Sequence, residues 1–282
     1  MIQLGVYNKL PILRDTSVGL YLGDINNEEQ QILLPNKYVP ETFEIGDVLE
    51  VFCYLDHEER PVATTLEPFV VLNSFALLKV IQVTEIGAFL DWGLEKHLFV
   101  PFREQARKMV EGKWYVVYLY LDETSGRLVG SSKTNNFISN EELTIEKLDE
   151  VDLIVSRFTD LGVEVIINQK HKGLVYNNEI FEDLSLGEKR RGVIKKIRED
   201  HKIDVSFQQL GYKNIEPSSQ KVLEFLKRNN SFLGLHDKST PEDIEAILGM
   251  SKKSFKKSIG YLYKLKIIEI KENGIYLLNT QA

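Results

Sequence analysis

The chain has 282 residues, is 43% hydrophobic and 27% charged, and carries a formal net charge of −7. That length exceeds one ordinary domain, no apolar run approaches the roughly 20 residues of a membrane span, and the acidic balance argues against indiscriminate binding of polyanions. The single cysteine, Cys53, excludes an internal disulfide and a cysteine-cluster metal site. The start, Met1-Ile2-Gln3-Leu4-Gly5, has neither the basic nor the apolar region of a secretory signal, so a cytoplasmic protein is expected.

From the N-terminus, three stretches repeat one grammar. Asp15-Thr16-Ser17-Val18-Gly19-Leu20-Tyr21-Leu22 is followed by Leu33-Leu34-Pro35 and then Gly46-Asp47. Val83-Thr84-Glu85-Ile86-Gly87-Ala88-Phe89-Leu90-Asp91 is followed by Phe99-Val100-Pro101 and Gly112-Lys113. Phe158-Thr159-Asp160-Leu161-Gly162-Val163-Glu164-Val165 is followed by Leu174-Val175-Tyr176 and Gly187-Glu188. The later glycine lies 27, 25 and 25 residues after the first. Such repetition decides fold class before any other signal, and short strands so punctuated read as small closed barrels. In the second unit, strands are expected over 76–83, 88–92, 98–102, 115–121 and 128–132, with a turn at Asp122-Glu123-Thr124-Ser125-Gly126 before Arg127. Linkers fall near Glu67-Pro68-Phe69 and over 135–150, where Thr144 could cap a short helix.

Past residue 211 the spacing becomes helical. Val222, Phe225 and Leu226 mark a first helix. Ser239-Thr240-Pro241-Glu242-Asp243 starts a second, which stops at Gly249. Ser251 starts a third, with Phe255, Ile259 and Leu262 on one face, and Asn273-Gly274 turns a hairpin between 267–270 and 275–278. Three helices and a hairpin make a winged helix. The fold class is therefore mainly β with a small α+β C-terminal domain. Three tandem barrels of the OB-fold type are expected at 1–68, 69–148 and 149–214, and a winged helix at 215–282. Their net charges are −8, −1, −1 and +3, so the acidity sits in the first barrel.

The second unit resembles an S1 domain through Gly87-Ala88-Phe89-Leu90-Asp91, Phe99-Val100-Pro101, Gly112 and Asp122…Gly126-Arg127. The whole plan is similar to that of the bacterial conserved virulence factor B family. That resemblance implies single-stranded RNA binding and a role in post-transcriptional regulation, including virulence-factor expression. It carries the second stacking aromatic of an S1 domain onto Tyr21, Phe89 and Glu164. The first falls on Val18, Ile86 and Leu161, and the histidine on Pro35, Pro101 and Tyr176. The last strand pair supplies Asp56 with Arg60, Asp122 with Arg127, and Arg198 with Lys202. No unit keeps the full set.

Stacking on a base needs an exposed ring, and holding its phosphate needs a cation. Strand alternation puts Phe89 on the face of Asp91, away from Ala88 and Leu90, and Tyr21 between Leu20 and Leu22. Phe89, Asp122, Arg127 and Tyr176 are thus candidate RNA contacts, with Tyr21 and Arg60 weaker because their barrel is acidic. Lys189, Arg190, Arg191, Lys195, Lys196 and Arg198 place six cations in ten residues, with Lys202 beyond. Such a strip could neutralise several phosphates or simply guard a sheet edge. On the third helix, Lys252, Lys253, Lys256 and Lys257 lie opposite the apolar face. They suit phosphates better than base edges, which call for Arg, Asn or Gln.

No glycine-rich phosphate loop, HExxH spacing or GxSxG elbow occurs, and the five histidines have no i, i+4 pair. No catalysis, metal or cofactor is expected. The leading expectation is a non-catalytic RNA-binding protein with no membrane association. DNA is a possible partner through the winged helix. Two alternatives stay open: a DNA-binding transcription regulator, and an adaptor whose acidic first barrel recruits a basic protein.

Overall fold

The computed structural model describes residues 2–27, 30–180, 183–207, 217–229, 231–264, 267–271 and 273–278. It divides into two units, Met1–Phe207 and Gln208–Ala282. The expected boundary at 214/215 lies outside the described residues.

The first unit holds three five-stranded modules. The first has β1 (Tyr7–Thr16), β2 (Gly19–Gly23), β3 (Gln31–Pro35), β4 (Val48–Leu55) and β5 (Pro61–Thr64). The second has β6 (Phe75–Val83), β7 (Gly87–Asp91), β8 (Leu98–Pro101), β9 (Trp114–Asp122) and β10 (Arg127–Ser131). The third has β11 (Glu150–Phe158), β12 (Gly162–Ile167), β13 (His171–Tyr176), β14 (Lys189–Ile197) and β15 (Ile203–Ser206). The first and third close in the order β1-β2-β3-β5-β4 and β11-β12-β13-β15-β14. The second has the equivalent order but not the expected closing ladder between β8 and β10. Those strands lie side by side, with the side chains of Leu98 and Val100 pressed against Gly130. A Cβ there would come within 2.8 Å of Val100 Cγ2. Side-chain packing closes this seam where a short parallel ladder closes the other two.

The repeated sequence has a physical reason at each landmark. The hydroxyls of Thr16, Thr84 and Thr159 donate to the carbonyls of Gly19, Gly87 and Gly162, closing the turn before the second strand. Those glycines pack on the facing strand. A Cβ would lie 2.1, 2.5 and 2.0 Å from the carbonyl oxygens of Leu34, Val100 and Val175. The later glycines, Gly46, Gly112 and Gly187, donate their N–H to the carbonyls of Ile12, Val80 and Val155 at 2.7–2.9 Å. Each acceptor precedes the register shift that bends the long first strand.

Strands with unbroken apolar runs are buried on both faces. In β4, Val51 and Cys53 fill the first barrel, while Phe52 and Tyr54 pack outward in the core of the second. The rings of Phe52 and Tyr54 meet Trp92 edge-on at 5.9 and 6.2 Å. In β9, Tyr115, Val117 and Leu119 face the second core. Val116 and Tyr118 instead join Phe75, Ile154 and Ile166 in a separate cluster against the third barrel. The three modules are thus docked through continuous apolar seams.

The 135–150 linker forms no helix at Thr144, contrary to the sequence expectation. His171 is buried, and its Nδ1–H donates to the Ser139 carbonyl at 2.7 Å. Its Nε2 then accepts from the Thr144 hydroxyl at 3.0 Å. The hydroxyl that could have capped a helix pins the linker to the third barrel instead.

The second unit has α1 (Pro217–Arg228), β16 (Phe232–Leu233), α2 (Pro241–Leu248), α3 (Lys252–Lys264), β17 (Ile268–Lys271) and β18 (Gly274–Leu277). Thr240 caps α2 by accepting from the Asp243 N–H, and Gly249 ends it in the left-handed region at φ 59°. Val222, Leu226, Ile244, Phe255, Ile259, Leu262 and Ile275 form the core. The hairpin is not alone: β16 pairs with β18 to make a three-stranded sheet, Phe232 opposite Tyr276. A two-residue strand is too short to show a period, so the sequence pattern missed it.

Candidate nucleic-acid interface

The second barrel carries a groove of about 370 Å³ at the seam with the first, at the lower end of small-ligand site sizes. The register of β7 on β8 sets Phe89 directly opposite Phe99. Their rings are tilted at 37° with centroids 5.1 Å apart, and both are half-buried. Ile86 and His97 line the same groove, as do Trp92 and Arg127. His97 Nδ1 is enclosed and has no hydrogen-bond partner among the described residues. From the first barrel come Tyr54, Leu55, His57 and Glu59.

Arg127 is exposed and its Nε donates to Glu59 Oε2 at 2.6 Å. Asp122 does not reach Arg127. It accepts from the Ser125 hydroxyl at 2.7 Å and caps its own hairpin turn. Asp56 caps the equivalent turn of the first barrel through the N–H groups of Glu58 and Arg60. There it also holds Arg60 at 2.7–2.9 Å, and Glu58 takes a further guanidinium N–H. Partial burial raises the Asp56 carboxyl, but the Arg60 backbone N–H and guanidinium outweigh it and leave the group below the usual carboxylate range. Tyr21 is half-buried, and Arg14 lies 4.1 Å over its ring, covering one face.

In the third barrel the strip on β14 is divided. Arg191 bonds Asp152 at 3.1 Å on the β11 side, beside the exposed Lys189. Arg190 bonds Glu188 at 2.5 Å. At the other end Lys195 bonds Glu179, and Lys196 is exposed with no ion pair among the described residues. Arg198 joins Tyr176, donating to its hydroxyl, while holding Asp204 at 2.8 and 3.1 Å. Lys202 holds Asp200 at 2.8 Å. Four of the six cations of the strip are therefore matched by carboxylates in space. Glu164, at the second aromatic position, bridges Arg157 (2.6 and 2.9 Å) and Lys172 (3.0 Å).

On α3, Lys253, Lys256 and Lys257 are exposed, Lys252 is half-buried, and Tyr263 is exposed further along. Among the described residues no cluster of His, Cys, Asp and Glu could hold a metal ion, and no helix is long and apolar enough to cross a membrane.

Sequence reasoning missed Phe99, His97, Lys96 and Glu59. Phe99 was legible in principle, since it alternates with the apolar Leu98 and Val100. Glu59 joins the groove only through barrel docking. At the turn before each repeat glycine, where the S1 aromatic is missing, Val18, Ile86 and Leu161 all stand exposed by more than half.

A family model for the S1 domain matches residues 4–66, and one for the CvfB-like winged helix domain matches residues 220–277. Conserved virulence factor B of Staphylococcus epidermidis is 28% identical over 243 residues, 83% of this chain and 81% of that protein. The Staphylococcus aureus protein of the same name is 27% identical over 241 residues, 83% and 80% of the two chains. YitL of Bacillus subtilis, an uncharacterized protein, is 27% identical over 267 residues, 90% and 87%. A solved multidomain protein with nucleic acid binding domains from Streptococcus pneumoniae aligns over 98% of both chains at 24% identity and a TM-score of 0.46. S1 and winged helix domains are nucleic-acid-binding types. With an S1 domain at its start and a CvfB-like winged helix at its end, the chain is similar over most of its length to the proteins named conserved virulence factor B.

Proposed function

We propose that this protein binds single-stranded RNA without catalysis and serves post-transcriptional regulation, virulence-gene expression included. The observation that carries this reading is the groove of the second barrel. It pairs two half-buried rings, Phe89 and Phe99, with an unpartnered histidine nitrogen at His97 and a guanidinium at Arg127. Rings offer stacking worth about 1–3 kcal/mol per base with little sequence preference. The guanidinium suits a phosphate. The groove is narrow and walled by two barrels, which favours a splayed single strand over a duplex. The cations of α3, with Lys189, Lys195, Lys196 and Arg198, add weaker phosphate contacts. Linked weak sites reinforce one another through effective concentration.

The test is fluorescence anisotropy of the full-length protein with labelled single-stranded RNA and with duplex DNA across a salt series. The same series is run with Lys195, Lys196 and Arg198 changed to alanine. RNA preference that weakens with salt, and further with the substitutions, supports the reading. Tight duplex binding transfers the function to the winged helix and DNA. Binding to neither at low salt leaves the adaptor reading.

A further inference from the structure

The acidic first barrel sends one carboxylate into the site of the second. Glu59 sits at the tip of the β4–β5 turn with a left-handed backbone, φ 65°, an uncommon conformation for a side-chain-bearing residue. The turn is fixed from both ends: Asp56 caps it from within, and the Lys96 ammonium donates to the Asp56 carbonyl at 2.7 Å across the barrel boundary. From there Glu59 places one carboxylate oxygen 2.6 Å from Arg127 Nε and the other 3.1 Å from Lys96 Nζ. Partial burial raises its proton affinity, but Lys96 and Arg127 outweigh that and hold the carboxyl below its usual range, so it is an anion at neutral pH. A guanidinium and an ammonium so placed at the mouth of an aromatic groove suit the two non-bridging oxygens of a phosphate diester as well as a carboxylate.

We propose that Glu59 is a built-in competitor for the nucleic-acid phosphate, occupying the Arg127–Lys96 position of the second barrel until a strand displaces it. The inference rests on the reading of that groove as an RNA site. It gives the first barrel's negative charge a function: a ligand gains little from charge alone, because each phosphate entering must replace an ion pair already made. Only a ligand that also stacks on the groove side of the Phe89–Phe99 pair gains on exchange. Single-stranded RNA does so, and a bare polyanion does not.

The experiment compares wild type, Glu59→Gln, Arg127→Ala, the Glu59→Gln/Arg127→Ala pair and Phe89→Ala. Each is tested by anisotropy with a labelled single-stranded RNA and by competition with inorganic polyphosphate. Glutamine keeps the shape of Glu59 and removes its charge. Removing one carboxylate from two exposed pairs is expected to tighten RNA binding about three- to tenfold at low salt. The gain should shrink as salt rises, because the competition from the Glu59 charge is screened, a change that mere loosening of the barrel seam would not produce. Polyphosphate should gain as much or more. In the Arg127→Ala background the gain should shrink. Unchanged or weaker RNA binding by Glu59→Gln, with Phe89→Ala still impaired, overturns the inference and leaves the groove standing. Phe89→Ala without effect overturns the groove reading, and the inference with it. RNA binding by neither wild type nor Glu59→Gln overturns both.

Discussion

Replacing Phe89 by alanine should remove RNA affinity far more than it removes fold. The ring is half-buried against Phe99, 5.1 Å between centroids, not enclosed in the core that Ala88 and Leu90 fill. Full burial would make the truncation cost about 3–5 kcal/mol. Half burial brings this to about 2 kcal/mol, the aromatic pair included. In a unit of roughly 200 residues that lowers the melting temperature by about 4–8 °C, and the barrel stays folded at 25 °C. The same ring supplies one stacking surface, worth about 1–3 kcal/mol, or about 5- to 150-fold in Kd. Anisotropy with single-stranded RNA measures the binding loss, and a thermal melt with circular dichroism measures the stability loss. Phe89→Tyr keeps the π-face and should bind within a few-fold of wild type. RNA binding by Phe89→Ala within twofold of wild type, with an unchanged salt slope, would refute the reasoning.

Three further outcomes follow from the geometry. Glu164 is opposed by partial burial but held below its ordinary value of 4.5 by Arg157 and Lys172. Its stabilising contribution is therefore complete above that value and lost as pH falls through the lower folded-state value. Glu164→Gln should cost about 1–3 kcal/mol at pH 7, and the melting temperatures of variant and wild type should converge below pH 4.5. Burial pushes the Cys53 thiol up to about 12, against a small lowering by Asn8. A thiol reagent at pH 8 should leave native protein unlabelled and label it within minutes in denaturant. Gly162→Ala would set a methyl group 2.0 Å from the Val175 carbonyl oxygen, and should destabilise the third barrel by at least about 2 kcal/mol, read by chemical denaturation. Gly46→Ala meets no atom within 4 Å and should cost less, through its positive φ alone.

The repeats were legible because each landmark does a local job. The threonine closes the turn, the first glycine permits close strand approach, and the later glycine bonds back to the bulged strand. The capped start of α2 and its stop at Gly249 were legible for the same reason, being made by neighbours in sequence. What failed needed distant partners. The hydroxyl of Thr144 is claimed by His171, so no helix forms. Strand β16 exists only because β18 pairs with it. The apolar runs Val51-Phe52-Cys53-Tyr54 and Tyr115-Val116-Val117-Tyr118 signalled burial on both faces, but periodicity cannot name what covers the second face.

Electrostatics divide along the same line. Residue order alone determined that the chain is acidic at its front and basic at its end, and placed six cations within ten residues, five of them in β14. Tertiary structure decided what those charges can do. Asp152, Glu179, Glu188 and Asp204 come beside the strip of the third barrel, and Glu59 of the first barrel comes to Arg127 of the second. Coulomb interactions depend on the distance between side chains in space, whatever the separation along the chain. The sequence therefore lists the charges of this protein, and only the folding of each barrel and the docking of one on another pair them.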